Sequence, residues 1–138
     1  MLNTQQSSLN LAVALSKTLR ITMTNKLKDI FYIELEKAKV LINEKRYSES
    51  FIHLERAHVI GQKNVVLHTV SHLQMLKVAF LSKDMKEILG QLFRLPLGIV
   101  GSLVGIVPIG NTGGSNVSAF KRMELPEDIK NMMVDNLK

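Results

Sequence analysis

Apolar residues recur at helical spacing along most of the chain, and short polar turns separate the apolar stretches. Four such stretches predict four helices, which run from a cap at Thr24 or Asn25 to about Asn43, from Tyr47 to about Ile60, from Asn64 to Leu81 and from Met85 to Arg94. The fourth is expected to end at Arg94 because Pro96 lacks the amide hydrogen that a helix interior requires. The pattern therefore predicts an all-α fold.

The next stretch, Leu95–Ile109, carries no charge and contains two prolines and three glycines. Its 15 residues are fewer than the ~20 that a helix needs to cross a bilayer. Gly98, Gly101 and Gly105 fall on one helical face, where they would allow another helix to approach closely. We therefore expect this apolar Gly-rich segment to pack in the core, with membrane insertion as the alternative.

A loop and a short helix complete the chain. Residues Gly110–Asn116 combine glycines with amide side chains, which is typical of a tight structural loop. The loop lacks the Lys-Ser or Lys-Thr of a phosphate-binding P-loop, and we expect it to lie over a site instead. From Leu125 onward, a proline and two acidic residues predict a C-terminal helix that runs to about Asn136.

The sequence contains a faint internal repeat with a period of 38 residues. Six residues recur at this distance: Lys39, Val40, Lys45, Glu49, Leu54 and Arg56 correspond to Lys77, Val78, Lys83, Glu87, Leu92 and Arg94. In the same register Glu34 falls on His72. A helical hairpin used twice explains this period, so we predict two stacked hairpins of the tetratricopeptide-like kind.

Length and charge limit the domain organisation and the partners. The 138 residues suffice for one domain, which we place at residues 26–138, after a mobile or loosely docked extension at residues 1–25. Of the net charge of +6, +4 lies in the first 28 residues, which hold four basic residues and no acidic one. Because a nucleic-acid-binding protein concentrates basic residues on its folded face, we expect no nucleic acid partner. Membrane contact through a basic amphipathic helix at residues 9–28 is a weaker alternative.

Five ionisable side chains interrupt the apolar stripes at positions that should face inward: Glu34, Glu55, His58, His68 and His72. Glu55 and His58 are three residues apart, and His68 and His72 are four apart, so each pair shares a helix face. Buried carboxylates and imidazoles must be paired, hydrated or bound to a metal. The chain has no cysteine, and carboxylate with imidazole suits Zn, Fe or Mn. We therefore predict a divalent metal site made of these five residues.

Other interpretations of the same residues stay open at this level. The five side chains can form a buried polar network without a metal, in a module that binds a protein partner or a second copy of the chain. Glu34 or Glu55 can act as a general base on metal-bound water, which would make the protein an enzyme. His53, Arg56 and Arg94 fall off the inward faces and are expected to be solvated.

Two segments resemble a known family. Residues 53–62 (His-Leu-Glu-Arg-Ala-His-Val-Ile-Gly-Gln) with the two histidines that follow, and residues 108–120 (Pro-Ile-Gly-Asn-Thr-Gly-Gly-Ser-Asn-Val-Ser-Ala-Phe), are similar to a family of small uncharacterised bacterial proteins. This is the domain of unknown function numbered thirty-seven oh three. The resemblance covers residue 27 to the C-terminus and implies a bacterial, cytoplasmic, helical protein. It implies nothing about a substrate.

Overall fold

The computed structural model of the protein describes residue 10 and residues 26–135. This part of the chain is helical over residues 26–43 (α1), Tyr47–Gly61 (α2), Val65–Ser82 (α3), Met85–Val104 (α4) and Glu127–Asp135 (α5). Since the described residues contain no strand, the predicted all-α fold is confirmed. The predicted extension at residues 1–25 lies outside the described residues, apart from Asn10, which is helical.

Two turns of the same conformation connect α1 to α2 and α3 to α4. Lys45 and Lys83, which are 38 positions apart, adopt positive φ angles of 60° and 58°. The amide of Lys45 donates to the carbonyl of Ile42, and the amide of Lys83 donates to the carbonyl of Phe80 in the same way. The faint sequence repeat therefore corresponds to two helical hairpins, α1–α2 and α3–α4. Their likeness to tetratricopeptide repeats stays a prediction.

The hydrophobic core lies between α1, α2 and α3, and α5 closes it. Its buried apolar residues come from four helices: Phe31, Leu35, Ala38, Ile42, Leu54, Ala57, Val59, Ile60, Leu67, Met75, Val78 and Ile129. Full burial of a large apolar side chain contributes about 1.5–3 kcal/mol to folding. On α5, Ile129 is buried in this core and the neighbouring Asp128 pairs with Arg56 of α2. Apolar contact and ion pair together hold α5 against the first hairpin.

Helix α4 continues ten residues beyond its predicted end at Arg94, because Pro96 does not terminate it. Pro96 and Leu92, whose carbonyl loses its helical donor, both lie on the exposed side of the helix. Solvent can therefore bond to that carbonyl, and the prediction that the helix ends before Pro96 was wrong. The helix ends instead at Gly105, whose φ of 74° allows its amide to bond back to Gly101 and Ser102.

The outer face of α4 is apolar and exposed. Leu89, Leu92, Phe93, Val100 and Leu103 are between 52% and 69% exposed. Core packing of the apolar Gly-rich segment was therefore a wrong expectation for most of its side chains. By length and composition, α3 and α4 could each cross a bilayer, a test that core helices of folded proteins also pass. Helix α3 carries several core residues, as such a core helix does.

Candidate functional site

Three histidines from two helices meet in the interior. His58 of α2 faces His68 and His72 of α3, and their exposed fractions are 2%, 4% and 3%. The Nε2 atom of His58 lies 2.8 Å from that of His68 and 3.2 Å from that of His72. Among the described residues, these three form a group whose ligand atoms lie within 4.8 Å of one another. The spacing of four residues on α3 gives the pair its common face, as the sequence predicts.

The Nδ1 atoms of His58 and His72 point away from the cluster and donate hydrogen bonds. His58 Nδ1 lies 2.9 Å from the carbonyl oxygen of Asn111, which can only accept. His72 Nδ1 lies 2.7 Å from Oε1 of Gln91. The amide nitrogen of Gln91 donates to Glu87 at 2.6 Å, so the amide oxygen is the atom that faces His72. Because both Nδ1 atoms carry a hydrogen, both neutral rings present a lone pair at Nε2.

The third imidazole cannot satisfy both of those lone pairs. His68 Nδ1 lies 2.6 Å from the hydroxyl of Ser102, which can donate or accept. If Ser102 donates, His68 Nε2 carries one hydrogen and can give it to His58. Within the described residues, the Nε2 lone pair of His72 then still faces the lone pair of His58 without a hydrogen between them. Both lone pairs can therefore be satisfied together only by a proton or a metal cation placed between the rings.

Protonation of a ring is opposed by burial. Burial, followed by the neighbouring imidazoles His72 and His68, holds the pKa of His58 well below its usual range. Burial and His72 lower the pKa of His68 to about 4. Burial also lowers the pKa of His72, against the opposing effect of its hydrogen bond with Gln91. All three rings are therefore neutral near pH 7, which is the form that binds metals.

Two glycines allow the backbone to approach the rings. A Cβ atom on Gly98 of α4 would lie 3.2 Å from His68 and 3.3 Å from His72. Gly113 belongs to the Gly110–Asn116 loop, has a φ of 83°, and would place a Cβ 2.8 Å from the ring of His58. The same loop supplies the Asn111 carbonyl, so it covers the cluster as the sequence predicts.

A cavity of about 360 Å³ adjoins the three histidines. Its other described walls are mostly apolar and come from α4 and the segment after it: Leu97, Val100, Val104, Ile106, Val107, Pro108, Ala119 and Phe120. Several of these residues, among them Phe120 at 74% and Ile106 at 77%, are exposed, so the cavity is open to solvent. Arg94 and Arg122 also line it, whereas no carboxylate does among the described residues. Neither Glu34 nor Glu55 is therefore placed to act as a general base there.

Glu34 does not join the histidines, although its side chain is buried. Its carboxylate accepts a hydrogen bond of 2.6 Å from His53 and lies 3.4 Å from Nε of Arg56 and 3.3 Å from Nζ of Lys37. Burial alone would raise the pKa of Glu34, but these three neighbours together lower it below its ordinary value. His53 and Arg56 are thus half-buried partners of a buried carboxylate and are not the solvated residues that the sequence suggests.

Replacing Glu34 by glutamine should lower the free energy of unfolding at pH 7 by about 1.5–3 kcal/mol, the usual value of a hydrogen bond to a charged group. Because the folded state lowers the pKa of Glu34, its contribution is complete above the ordinary value of 4.5 and is lost as pH falls through the folded value. Urea unfolding of both proteins between pH 7 and pH 3 measures this, and the difference should shrink only at acid pH. Glu36→Gln is the control, because the exposed Glu36–Lys39 pair contributes below about 1 kcal/mol. A pH-independent difference would contradict the prediction.

Glu55 is half-buried on α2 and also lies outside the histidine group. Burial raises its pKa, Thr112 opposes this shift, and the negative charge of Glu87 adds to it. One carboxylate oxygen lies 2.8 Å from where a Cβ on Gly114 would be. Glu55 therefore packs against the loop that covers the histidines, and it does not face their Nε2 atoms.

The two polar clusters occupy equivalent places in the two hairpins. Adding 38 to Glu34, His53 and Arg56 gives His72, Gln91 and Arg94. The hydrogen bond between Glu34 and His53 then corresponds to the one between His72 and Gln91. Glu34 thus fills in the first hairpin the position that His72 fills in the second, which explains why the two do not meet.

Sequence reasoning missed four residues around the histidines: Gln91, Ser102, Arg94 and Asn111. The first two bond directly to His72 and His68, and Arg94 lines the cavity at 8% exposure. The 38-residue repeat was a usable signal for Gln91 and Arg94, since it aligns them with the partners of Glu34. No sequence signal marks Asn111, whose backbone oxygen makes the contact with His58.

The chain belongs to the family DUF3703, described as a protein of unknown function, whose model matches residues 25–133. This confirms the family that the sequence resembles. No curated protein and no solved structure matches the chain. The family has no assigned activity, so the chemistry of the site rests on the side chains themselves.

Proposed function

We propose that the protein binds one divalent transition-metal ion through the Nε2 atoms of His58, His68 and His72. The observation that carries this proposal is the hydrogen bonding of His58 and His72. Both neutral rings donate their Nδ1 hydrogen to an acceptor outside the cluster, so their Nε2 atoms, 3.2 Å apart, face each other with lone pairs. A cation at the centre accepts all three lone pairs at once. Protonation, the other way to supply positive charge, is opposed by burial of the rings.

The distances support a metal of the zinc type. Zinc–imidazole bonds of ~2.0–2.1 Å in tetrahedral geometry separate the ligand nitrogens by roughly 3.4 Å. The two separations from His58, 2.8 and 3.2 Å, lie a few tenths of an ångström below that value, and all three ligand atoms lie within 4.8 Å of one another. Imidazole ligands suit Zn, Fe, Cu and Ni, and the absence of a carboxylate from the cluster makes Mn a weaker candidate than the sequence suggests.

The surroundings of the rings are those of metal-ligating histidines. In such histidines the N–H of the second ring nitrogen donates a hydrogen bond to a carbonyl, carboxylate or similar acceptor, which fixes the tautomer and the orientation of the ring. Here Asn111, Ser102 and Gln91 are the partners of the three Nδ1 atoms. Three protein ligands next to a cavity leave a fourth position for water or a ligand, which is the arrangement of a catalytic or ligand-binding zinc site.

Titration of Zn²⁺ into protein without an affinity tag tests the proposal. We expect one equivalent to bind with a dissociation constant below ~10 μM, and a free zinc concentration 100 times that constant should add about 2.7 kcal/mol to the free energy of unfolding. Calorimetry gives the stoichiometry, and thermal unfolding gives the stabilisation. Weak binding of several equivalents, with no effect on unfolding, would contradict the proposal.

A second candidate function is association between copies of the chain through the exposed apolar face of α4. The support is the contiguous set of large apolar side chains on that face, since monomeric soluble proteins rarely expose extensive apolar patches. Light scattering should then show a dimer that Leu92→Glu and Leu103→Glu convert to a monomer, since neither residue lines the cavity of the histidines. A monomer at all concentrations, or the same mass in the variants, would remove this candidate. Zinc binding is independent of either result.

A further inference from the structure

Arg94 is a buried cation that forms no salt bridge in the described part of the chain, and the negative charge of Glu87 reaches it only from beyond salt-bridge distance. Its side chain lines the cavity of the histidines, and Nη2 donates to the carbonyl of Val117. Its Nε is buried and has no hydrogen-bond partner among the described residues. A buried guanidinium with an unused donor is costly unless an anion or a set of acceptors completes it.

The acid nearest in sequence, Glu87, is already engaged. Its Oε1 accepts from the amide nitrogen of Gln91 at 2.6 Å, and its Oε2 accepts from the amide of Ser115 at 2.9 Å. The Ser115 hydroxyl also donates to Oε2. Within the described residues, no carboxylate oxygen lies within ion-pair distance of Arg94.

The equivalent arginine of the first hairpin, Arg56, has the carboxylate partners that Arg94 lacks. Arg56 corresponds to Arg94 in the 38-residue repeat, and it is paired with two carboxylates, those of Glu34 and Asp128. In the second hairpin the position of Glu34 is taken by the neutral His72. The guanidinium at this position is thus paired with carboxylates of the chain in the first hairpin, whereas in the second it lines a cavity and forms no salt bridge within the described residues.

The cavity walls determine what else an anion must carry. Leu97, Val100, Val104, Ile106 and Val107 make most of the lining apolar. Its volume of about 360 Å³ falls within the range of ~300–1,000 Å³ that small organic ligands occupy. Arg122 adds a second cation to the lining, while the described lining residues contribute no negative charge.

We propose that this cavity binds a small organic carboxylate with an apolar body, whose acid group is held by Arg94 beside the open position of the metal. The apolar body lies against α4 and residues 106–108. This inference rests on the proposed metal site and names the class of ligand that the site takes. A guanidinium fork matches the two oxygens of a carboxylate, and a metal held by the three histidines would supply a second positive charge in the same cavity.

Calorimetry with octanoate, octan-1-ol and acetate tests the inference on the zinc-loaded and the metal-free wild-type protein. Octanoate should bind at least about 10-fold more tightly than octan-1-ol, because only octanoate has a charge for Arg94. It should also bind at least about 10-fold more tightly than acetate, which has no apolar body. Equal affinities for octanoate and octan-1-ol, or no binding of octanoate, would overturn the inference.

Variants of the two equivalent arginines give a matched comparison. Arg94→Met should weaken octanoate binding by about 10–100-fold and leave octan-1-ol and zinc binding unchanged. Arg94→Lys, which keeps the charge and loses the fork, should cause a smaller loss and serves if the methionine variant does not fold. Arg56→Met should lower stability without changing octanoate binding. Unchanged octanoate affinity in both Arg94 variants would contradict the role of Arg94.

The failure of this inference is distinguishable from that of the metal site. If zinc binds and octanoate does not, the metal site stands and the carboxylate ligand is wrong. If zinc does not bind but octanoate binding still depends on Arg94, the metal proposal fails and the anion site survives.

Discussion

Replacing His58 by alanine should weaken zinc binding by more than about 100-fold and abolish the stabilisation that zinc confers. His58 contacts both other imidazoles. Its loss leaves only His68 and His72 as ligands, and no third ring then holds them in place. Loss of a residue that only orients a ligand already costs 10–100-fold in metal affinity, and loss of a ligand itself should cost more. Calorimetry with Zn²⁺, together with thermal unfolding at increasing zinc concentration, measures both effects.

His53→Ala is the matched control, because His53 lies on the same helix but bonds to Glu34 and not to the cluster. It should reduce stability and leave the zinc-induced stabilisation unchanged. A buried polar network without a metal gives a different outcome: both variants lose stability, and zinc affects neither of them nor the wild type. Equal zinc affinity in wild type and His58→Ala would rule out the three-histidine site.

Gly113→Ala should lower the free energy of unfolding by about 3 kcal/mol, although it adds only one methyl group beside the site. A side chain at a φ of 83° costs roughly 1–2 kcal/mol in backbone strain. The added Cβ would also lie 2.8 Å from the ring of His58, and such overpacking adds typically 1–3 kcal/mol. The ring can give way only by losing its bond to Asn111, so zinc affinity should fall as well.

Gly105→Ala separates the two causes. Gly105 has a similar φ of 74°, but a Cβ there meets no atom within 4 Å. This variant should therefore lose only the strain contribution, about 1–2 kcal/mol, and keep its zinc affinity. Urea unfolding and zinc calorimetry of both variants make the comparison. Equal losses of stability, or unchanged zinc affinity in Gly113→Ala, would show that the loop does not press on His58.

The helices and the histidines were predictable because both depend on local spacing. Apolar periodicity and the cap at Asp84 place α2, α3 and the start of α4 within one or two residues of their observed ends. The four-residue spacing on α3 puts His68 and His72 on one face. These features follow from the 3.6-residue period of a helix and need no knowledge of the tertiary structure.

The end of α4 and the place of Glu34 were not predictable in the same way. Pro96 breaks a helix only where its missing hydrogen bond cannot be replaced by solvent, and that depends on which side of the helix is exposed. Glu34 does lie on an inward face, as predicted. The spacing of residues within α1 does not determine whether the inward face of α1 contacts the three histidines or the partners His53 and Arg56.

The partners of the three rings depend on long-range contacts. Asn111 reaches His58 across 53 residues and does so with its backbone, so its side-chain identity gives no signal. Arg94 was taken for a surface residue because arginines usually are, and its burial follows from the fold of residues 105–120 over α4. Only the 38-residue repeat connects Arg94 to a position with polar partners, through its counterpart Arg56.

The two hairpins differ in where the partners of their polar clusters come from. In the first copy, acid and base belong to the same chain, so the local concentration of each partner is fixed by covalent connectivity. In the second copy, the proposed cation and carboxylate come from solution, and the occupancy of that site follows their activities. Under these proposals, the polar cluster of the first hairpin therefore keeps the same partners in every medium. The site of the second hairpin would fill or empty as the concentrations of the metal and the carboxylate change.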